Sequence, residues 1–223
     1  MHTQVSRKHF AAIVIFAAML TGGPCLAGEQ KYEQLVASVQ AALHQTVADR
    51  ASPRLTFASD TEGAAWIADM SRRMEKYVED ENTRRDLLVT VQYEATRAGL
   101  DPQLVLGVMQ VESKFRKYAV SKAGARGYMQ VMPFWPKLLG EPDQNLFSLR
   151  ANLRYGCTIL RHYLDIERGD TQRALARYNG SLGKSRYSEM VMRAWTKNWD
   201  YGQVQGKGRP SITITPTNYR GEG

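Results

Sequence analysis

The sequence is poor in the residues on which several chemistries depend. Two cysteines among 223 residues exclude a disulfide-stapled mini-protein and a four-cysteine zinc site. Four histidines are present, and beyond the first ten residues only His44 and His162 remain. They form no HExxH helix and no His-rich cluster, so no metal and no other cofactor is expected. Eight prolines and 18 glycines exclude a collagen-like or Pro-rich scaffold. The longest apolar run, Phe10 to Leu20, is too short for a bilayer that needs roughly 20 residues. Strand-rich stretches and internal repeats are missing, so no parallel sheet is expected.

Several motifs fail on inspection. Gly183-Lys184-Ser185 resembles the end of a phosphate-binding loop, but Tyr178 stands where the upstream glycine belongs and a helix precedes it. Gly180-Ser181-Leu182-Gly183 lacks nucleophile-elbow spacing and a nearby histidine. Asn179-Gly180-Ser181 is a formal sequon of a kind common by chance. His162 follows Cys157 on a helical stretch and reads as a surface or cap residue.

What is there is an ordinary globular balance, 43% hydrophobic and 23% charged, which argues against disorder. The net charge of +8 points to an acidic partner: nucleic acid, anionic lipid or an anionic wall polymer. Basic residues occur all along the chain without an aromatic-interleaved face, which argues against nucleic acid.

Residues 1–27 read as a signal peptide. Arg7 and Lys8 precede the apolar run, Thr21 to Pro24 break the helix, and Cys25-Leu26-Ala27 offers small residues to a signal peptidase. The expected location is the periplasm. An uncleaved anchor and a lipoprotein acylated at Cys25 are the alternatives; Gly22-Gly23-Pro24 is a poor lead-in to the second. Cleavage leaves Cys157 without an internal disulfide partner.

The remaining chain is helical in pattern, and the expected class is all-α. Tyr32, Leu35, Val36, Val39, Leu43 and Val47 keep helical spacing up to Ser52-Pro53. Trp66 to Val78 marks a second helix, and Asp86 to Ala98 a third, stopped by Gly99. Asp101-Pro102 starts a fourth by capping and by proline at the first helical position. Leu104, Val105, Leu106, Val108, Met109 and Val111 make it apolar nearly all round, hence central and buried. A basic loop follows from Arg116 to Gly127. Further helices are expected from Ser148 to about Glu167, from Asp170 or Thr171 to Asn179-Gly180, and from Ser185 to Trp199. Residues 201–223 read as a tail in which Ser211 to Thr215 alternate like a short strand.

Glu112 ends the buried helix. Burial and the helix C-terminus both disfavour its charge and raise its pKa, which suits a general acid. A last-turn glutamate that merely solvates the helix end is the other reading of the same residue.

The residues around Glu112 favour the acid. Glu112-Ser113 leads to Gly124-Ala125-Arg126-Gly127-Tyr128-Met129-Gln130-Val131-Met132-Pro133, then Asn152-Leu153-Arg154-Tyr155-Gly156, then Ala176-Arg177-Tyr178-Asn179. In this order the series closely resembles the SLT-type lytic transglycosylases, whose fold is similar to goose-type lysozyme. The resemblance covers about residues 84–200. It implies a compact lysozyme-like catalytic domain there; residues 28–83, whose helical pattern carries no motif of the family, read as a helical extension. It also implies that Glu112 is the catalytic acid and base and that Ser113 orients its carboxyl. Ser121 and the Gly124 to Gly127 loop would shape the cleft, and Met129, Gln130 and Met132 would line the sugar site. Tyr178 would approach carboxyl and sugar, while Asn179 would hold its helix end. Three departures concern subsite shape: Tyr128 in place of leucine, Phe134-Trp135 near a usual threonine, and Ser181 in place of glycine.

The implied substrate is the glycan strand of peptidoglycan, and the implied state is a monomer, with a cell-envelope complex as a further partner. Most glycosidases use two carboxylates, and Asp101, Glu141 and Asp143 are remote in sequence from Glu112. The resemblance implies a one-carboxylate route ending in a 1,6-anhydro sugar. A hydrolysing muramidase and a non-catalytic wall-binding protein are the competing readings. Lys114, Arg116, Lys117, Lys122 and Arg126 would attract the wall's carboxylates.

Overall fold

The computed structural model describes residues 30–202 apart from 33, 36, 49 and 50. The leader at 1–27 and the strand-like run at 211–215 lie outside the described residues. Within them the chain is all-α: every regular element is helical, and the only β pairing is a pair of isolated bridges, Val120 with Arg126 and Arg126 with Val131.

The helices are α1 (Ala37–Ala48), α2 (Asp60–Met74), α3 (Glu81–Arg97), α4 (Pro102–Glu112), α5 (Phe134–Leu138), α6 (Leu149–Ile166), α7 (Thr171–Tyr178) and α8 (Arg186–Ala194). A π-helical turn, Trp195–Trp199, continues α8. Four starts are fixed by side-chain caps. The N–H groups of Glu62, Thr83, Gln103 and Arg173 donate to Ser59, Asp80, Asp101 and Asp170. Each cap is worth about 1 kcal/mol. Gly99 follows α3 at φ 65°, a conformation that glycine adopts without penalty.

α4 is the central helix, with Leu104, Val105, Leu106, Val108 and Met109 all buried. Gly107 lets α8 approach closely, since a Cβ there would lie 3.1 Å from the Trp195 nitrogen and 3.2 Å from the Val191 oxygen. Gln110 fixes the same contact by accepting from Trp199 Nε1 at 2.8 Å and from Asn198 Nδ2 at 3.0 Å. α3 and α6 are joined by an ion pair: Arg154 Nη2 donates to the fully buried Glu94 at 2.8 Å, and Arg97 Nε reaches the same carboxylate at 2.9 Å. Removing either partner of such a pair strands a charge away from water.

The structure corrects four local expectations. α1 starts at Ala37, and Tyr32 and Leu35 precede it outside any helix. Tyr32 instead meets Phe134 of α5 edge-on with ring centroids 5.6 Å apart. α2 and α3 begin well before their apolar stripes because the caps, not the apolar residues, set their starts. α5 has no periodic signal in its five residues and was not foreseen. His162 is half-buried inside α6 beside the Tyr163 ring rather than a surface or cap residue. Cys157 is buried, and burial pushes its thiol far above the ordinary range, so it is inert.

Candidate active site

Glu112 closes α4 with only 2% of its surface exposed. The helix stops there because Lys114 and Phe115 both take left-handed backbone conformations, φ 52° and 60°. Each costs roughly 1–2 kcal/mol. Packing holds them: the buried Phe115 ring sits 5.2 Å from Tyr77 and 5.4 Å from Trp199.

Burial pushes the Glu112 carboxyl up to about 8, against the opposing effect of hydrogen bonds from Tyr187 and Asn179. Tyr187 Oη donates to Glu112 Oε1 at 2.6 Å. The carboxyl is therefore largely protonated at neutral pH, and both neighbours favour the anion once the proton leaves. A solvated last-turn glutamate does not fit these surroundings.

Two further residues singled out by the sequence gather beside Glu112. Tyr178 is fully buried, and burial, with the Glu112 carboxyl nearby, holds its hydroxyl well above the usual tyrosine range. Its O–H donates to the Met129 carbonyl at 2.7 Å, not to the carboxyl. Asn179 caps α7 and also turns its side chain to Glu112.

The loop facing them is built by backbone pairing. Arg126 and Val131 exchange both N–H···O bonds at 3.0 Å, and Gly127 N–H donates to Ala119 O at 2.9 Å. Ser121 closes the tip: its hydroxyl accepts from the Ala125 N–H at 3.1 Å. Gly127 sits at φ 77° and is pressed against Asn152, where a Cβ would come within 2.4 Å of Nδ2.

The Asn152 to Gly156 motif explains itself in this packing. One turn apart, both residues face the loop. Asn152 accepts from the Met129 N–H at 2.8 Å and donates to Arg126 O and Leu146 O, each at 2.8 Å. Gly156 leaves room for the Met129 side chain, since a Cβ would meet Met129 Sδ at 2.4 Å and its Cβ at 2.8 Å.

Other motif residues sit differently from their implied roles. Ser113 is fully buried, and its hydroxyl donates to Tyr128 O at 2.7 Å rather than orienting Glu112. It ties the end of α4 to the loop. Gln130, buried at φ 51°, donates to Gly127 O at 2.9 Å and Ala119 O at 3.1 Å, so its amide nitrogen braces the loop. Met129 is a core side chain. Met132 is half-buried at the edge of the loop. Lys114, Arg116, Lys117, Lys122 and Arg126 are all exposed.

Sequence reasoning missed Tyr187. A signal existed: Tyr187 shares the buried stripe of α8 with Val191 and Ala194. A buried tyrosine hydroxyl requires a hydrogen-bond partner, and Glu112 was the polar group expected in the core.

Comparison with known proteins points to one family. The family model described as the transglycosylase SLT domain matches residues 90–198. Over 103 residues the chain is 35% identical to a protein named transglycosylase from Enterobacteria phage PRD1, covering 44% of this chain and 36% of that protein. Over 105 residues it is 40% identical to membrane-bound lytic murein transglycosylase C of Histophilus somni (strain 2336), covering 40% of this chain and 29% of that protein. A 49-residue stretch is 53% identical to the protein of the same name from Actinobacillus pleuropneumoniae serotype 5b, covering 22% of this chain and 13% of that protein. The chain thus spans well under two thirds of the length of these relatives. Residues 90–198, which hold Glu112 and every motif residue packed around it, match the transglycosylase SLT domain family.

Proposed function

We propose that this chain is a lytic transglycosylase that cleaves the glycan strands of peptidoglycan in the bacterial envelope. The observation that carries the reading is Glu112: a buried carboxyl, protonated up to about pH 8 and held by Tyr187. The family match supplies the substrate class.

Glu112 protonates the oxygen that links N-acetylmuramic acid to N-acetylglucosamine. The N-acetyl group of the muramic acid stabilises positive charge at C1, as in substrate-assisted glycosidases. Glu112, now ionised, accepts the proton of the C6 hydroxyl as that oxygen closes on C1. The bond to the leaving sugar breaks, a 1,6-anhydro ring forms, and no water is consumed. Tyr187 and Asn179 hold the intermediate carboxylate by hydrogen bonds that strengthen when the acceptor is charged. A group that is neutral at rest and stabilised as an anion serves both proton transfers.

The cations from Lys114 to Arg126 supply a field that draws the carboxylates of the wall polymer toward the loop. The signal-peptide reading of residues 1–27 places the chain in the periplasm.

Mass spectrometry of digested peptidoglycan tests the reaction, because anhydro ends lack one water relative to reducing ends. Anhydro ends that disappear in Glu112→Gln are expected. Reducing ends alone make the protein a hydrolysing muramidase. Binding to sacculi without any cleavage makes it a wall-binding component.

A further inference from the structure

A residue from outside the family domain reaches the site. Gln30 is 4% exposed although it lies at the start of the described chain. Its Oε1 accepts two donors, the Met132 backbone N–H at 3.3 Å and the Trp135 indole Nε1–H at 3.0 Å. The same carboxamide lies against the Tyr178 hydroxyl. One side chain thus spans the edge of the motif loop, the first turn of α5 and the tyrosine beside Glu112.

The neighbouring residues hold that side chain in place. Tyr32 packs edge-on against Phe134, and the Gln40 side chain donates to Leu138 O. Gln30, Tyr32 and Gln40 therefore follow the chain from Met132 to Leu138. The indole it serves is 1% exposed, so losing Gln30 takes the acceptor from a buried N–H.

The chemistry of the position selects glutamine. Two N–H donors converge on one oxygen, which a carbonyl with two lone pairs satisfies. A glutamate would bring a second charge into the surroundings of Glu112. A leucine or methionine would fill the volume and accept nothing.

We propose that Gln30 is a positioning residue of the glycan site, fixing the Met132–Trp135 turn against Tyr178, so that a segment preceding the SLT domain completes the sugar-binding wall. This rests on the reading of the loop beside Glu112 as the glycan cleft. Tyr178 keeps its own bond to Met129 O and Glu112 keeps Tyr187. The chemical step therefore stays organised when Gln30 is lost, while the Met132 edge loosens and the loss falls on substrate binding.

The test uses full-length protein carrying Gln30→Leu, with muropeptide release from soluble glycan strands measured over a range of strand concentrations. KM is expected to rise roughly 5- to 10-fold, with kcat much less affected and the alkaline limb of the pH profile in place. The Trp135 indole N–H resonance is expected to shift as it loses its acceptor. An unchanged KM with an unchanged resonance overturns the proposal. So does a fall in kcat that only tracks a lower folded fraction by circular dichroism, which is what a merely structural role would give. A wild type that releases no muropeptides overturns the glycan reading and this one together; an active wild type matched in KM by Gln30→Leu overturns this one alone.

Discussion

Tyr187 and Glu112, 75 residues apart in the chain, are joined by a 2.6 Å hydrogen bond inside the core. The bond exists because Gly107 brings α8 against α4, and it sets what the carboxyl can do. Burial makes Glu112 an acid, and Tyr187 keeps its conjugate base tolerable.

Replacing the acid should abolish the chemistry. Glu112→Gln keeps the size and an oxygen for Tyr187 but has no proton to give. Release of anhydro-muropeptides should fall by about 10²–10⁴-fold, the usual worth of a general acid and base. Wild-type activity in this variant would remove Glu112 from the mechanism.

The same substitution should stabilise the fold, in a pH-dependent way. Glu112 ionises near 4.5 when unfolded and near 8 when folded. Between these values the unfolded chain binds fewer protons, so the group's contribution to stability falls as pH rises. The amide that replaces the carboxyl titrates in neither state. The variant should match the wild type below about pH 4.5 and gain roughly 3 kcal/mol by pH 7. Urea unfolding at pH 4 and pH 7 measures both ends. An equal gain at the two pH values would contradict the raised pKa.

Tyr187→Phe should act through the carboxylate. Without the hydroxyl, Glu112 loses a bond that favours its charged form, so its pKa rises further. Wild-type kcat/KM should decline as pH passes about 8. In Tyr187→Phe that limb should move to higher pH, with kcat lower by roughly 10- to 100-fold, the worth of a charged hydrogen bond. A limb that stays in place would separate Tyr187 from the titrating group.

The Asn152 and Gly156 pair should matter for stability first. Asn152→Ala leaves the Met129 N–H and the Arg126 and Leu146 carbonyls without this partner. A loss of about 2–4 kcal/mol is expected. Gly156→Ala forces Met129 to shift, at about 1–3 kcal/mol. Denaturant midpoints measure both. Effects under about 0.5 kcal/mol would show that the loop does not depend on α6.

Much of this protein was legible in its sequence because the signals are local. Asp101 and Asp170 cap helices through N–H groups two or three residues away. Gly99 ends α3 through its own backbone, and the unbroken apolar character of α4 foretold a buried helix with Glu112 at its end. The motif order led to the loop and to α6 and α7.

Which side chains meet depended on how the helices pack. The hydroxyl of Ser113 went to the Tyr128 carbonyl and that of Tyr178 to the Met129 carbonyl, while Asn179 turned to Glu112. Tyr187 and Gln30 joined the site from 75 and 102 or more residues away. A long-range hydrogen bond leaves no periodicity and no cap in the sequence, because its partners are chosen by how helices pack and not by the backbone on either side. Local signals placed most of the helices and the buried Glu112; the packing of α8, α6 and the N-terminal segment set what surrounds it.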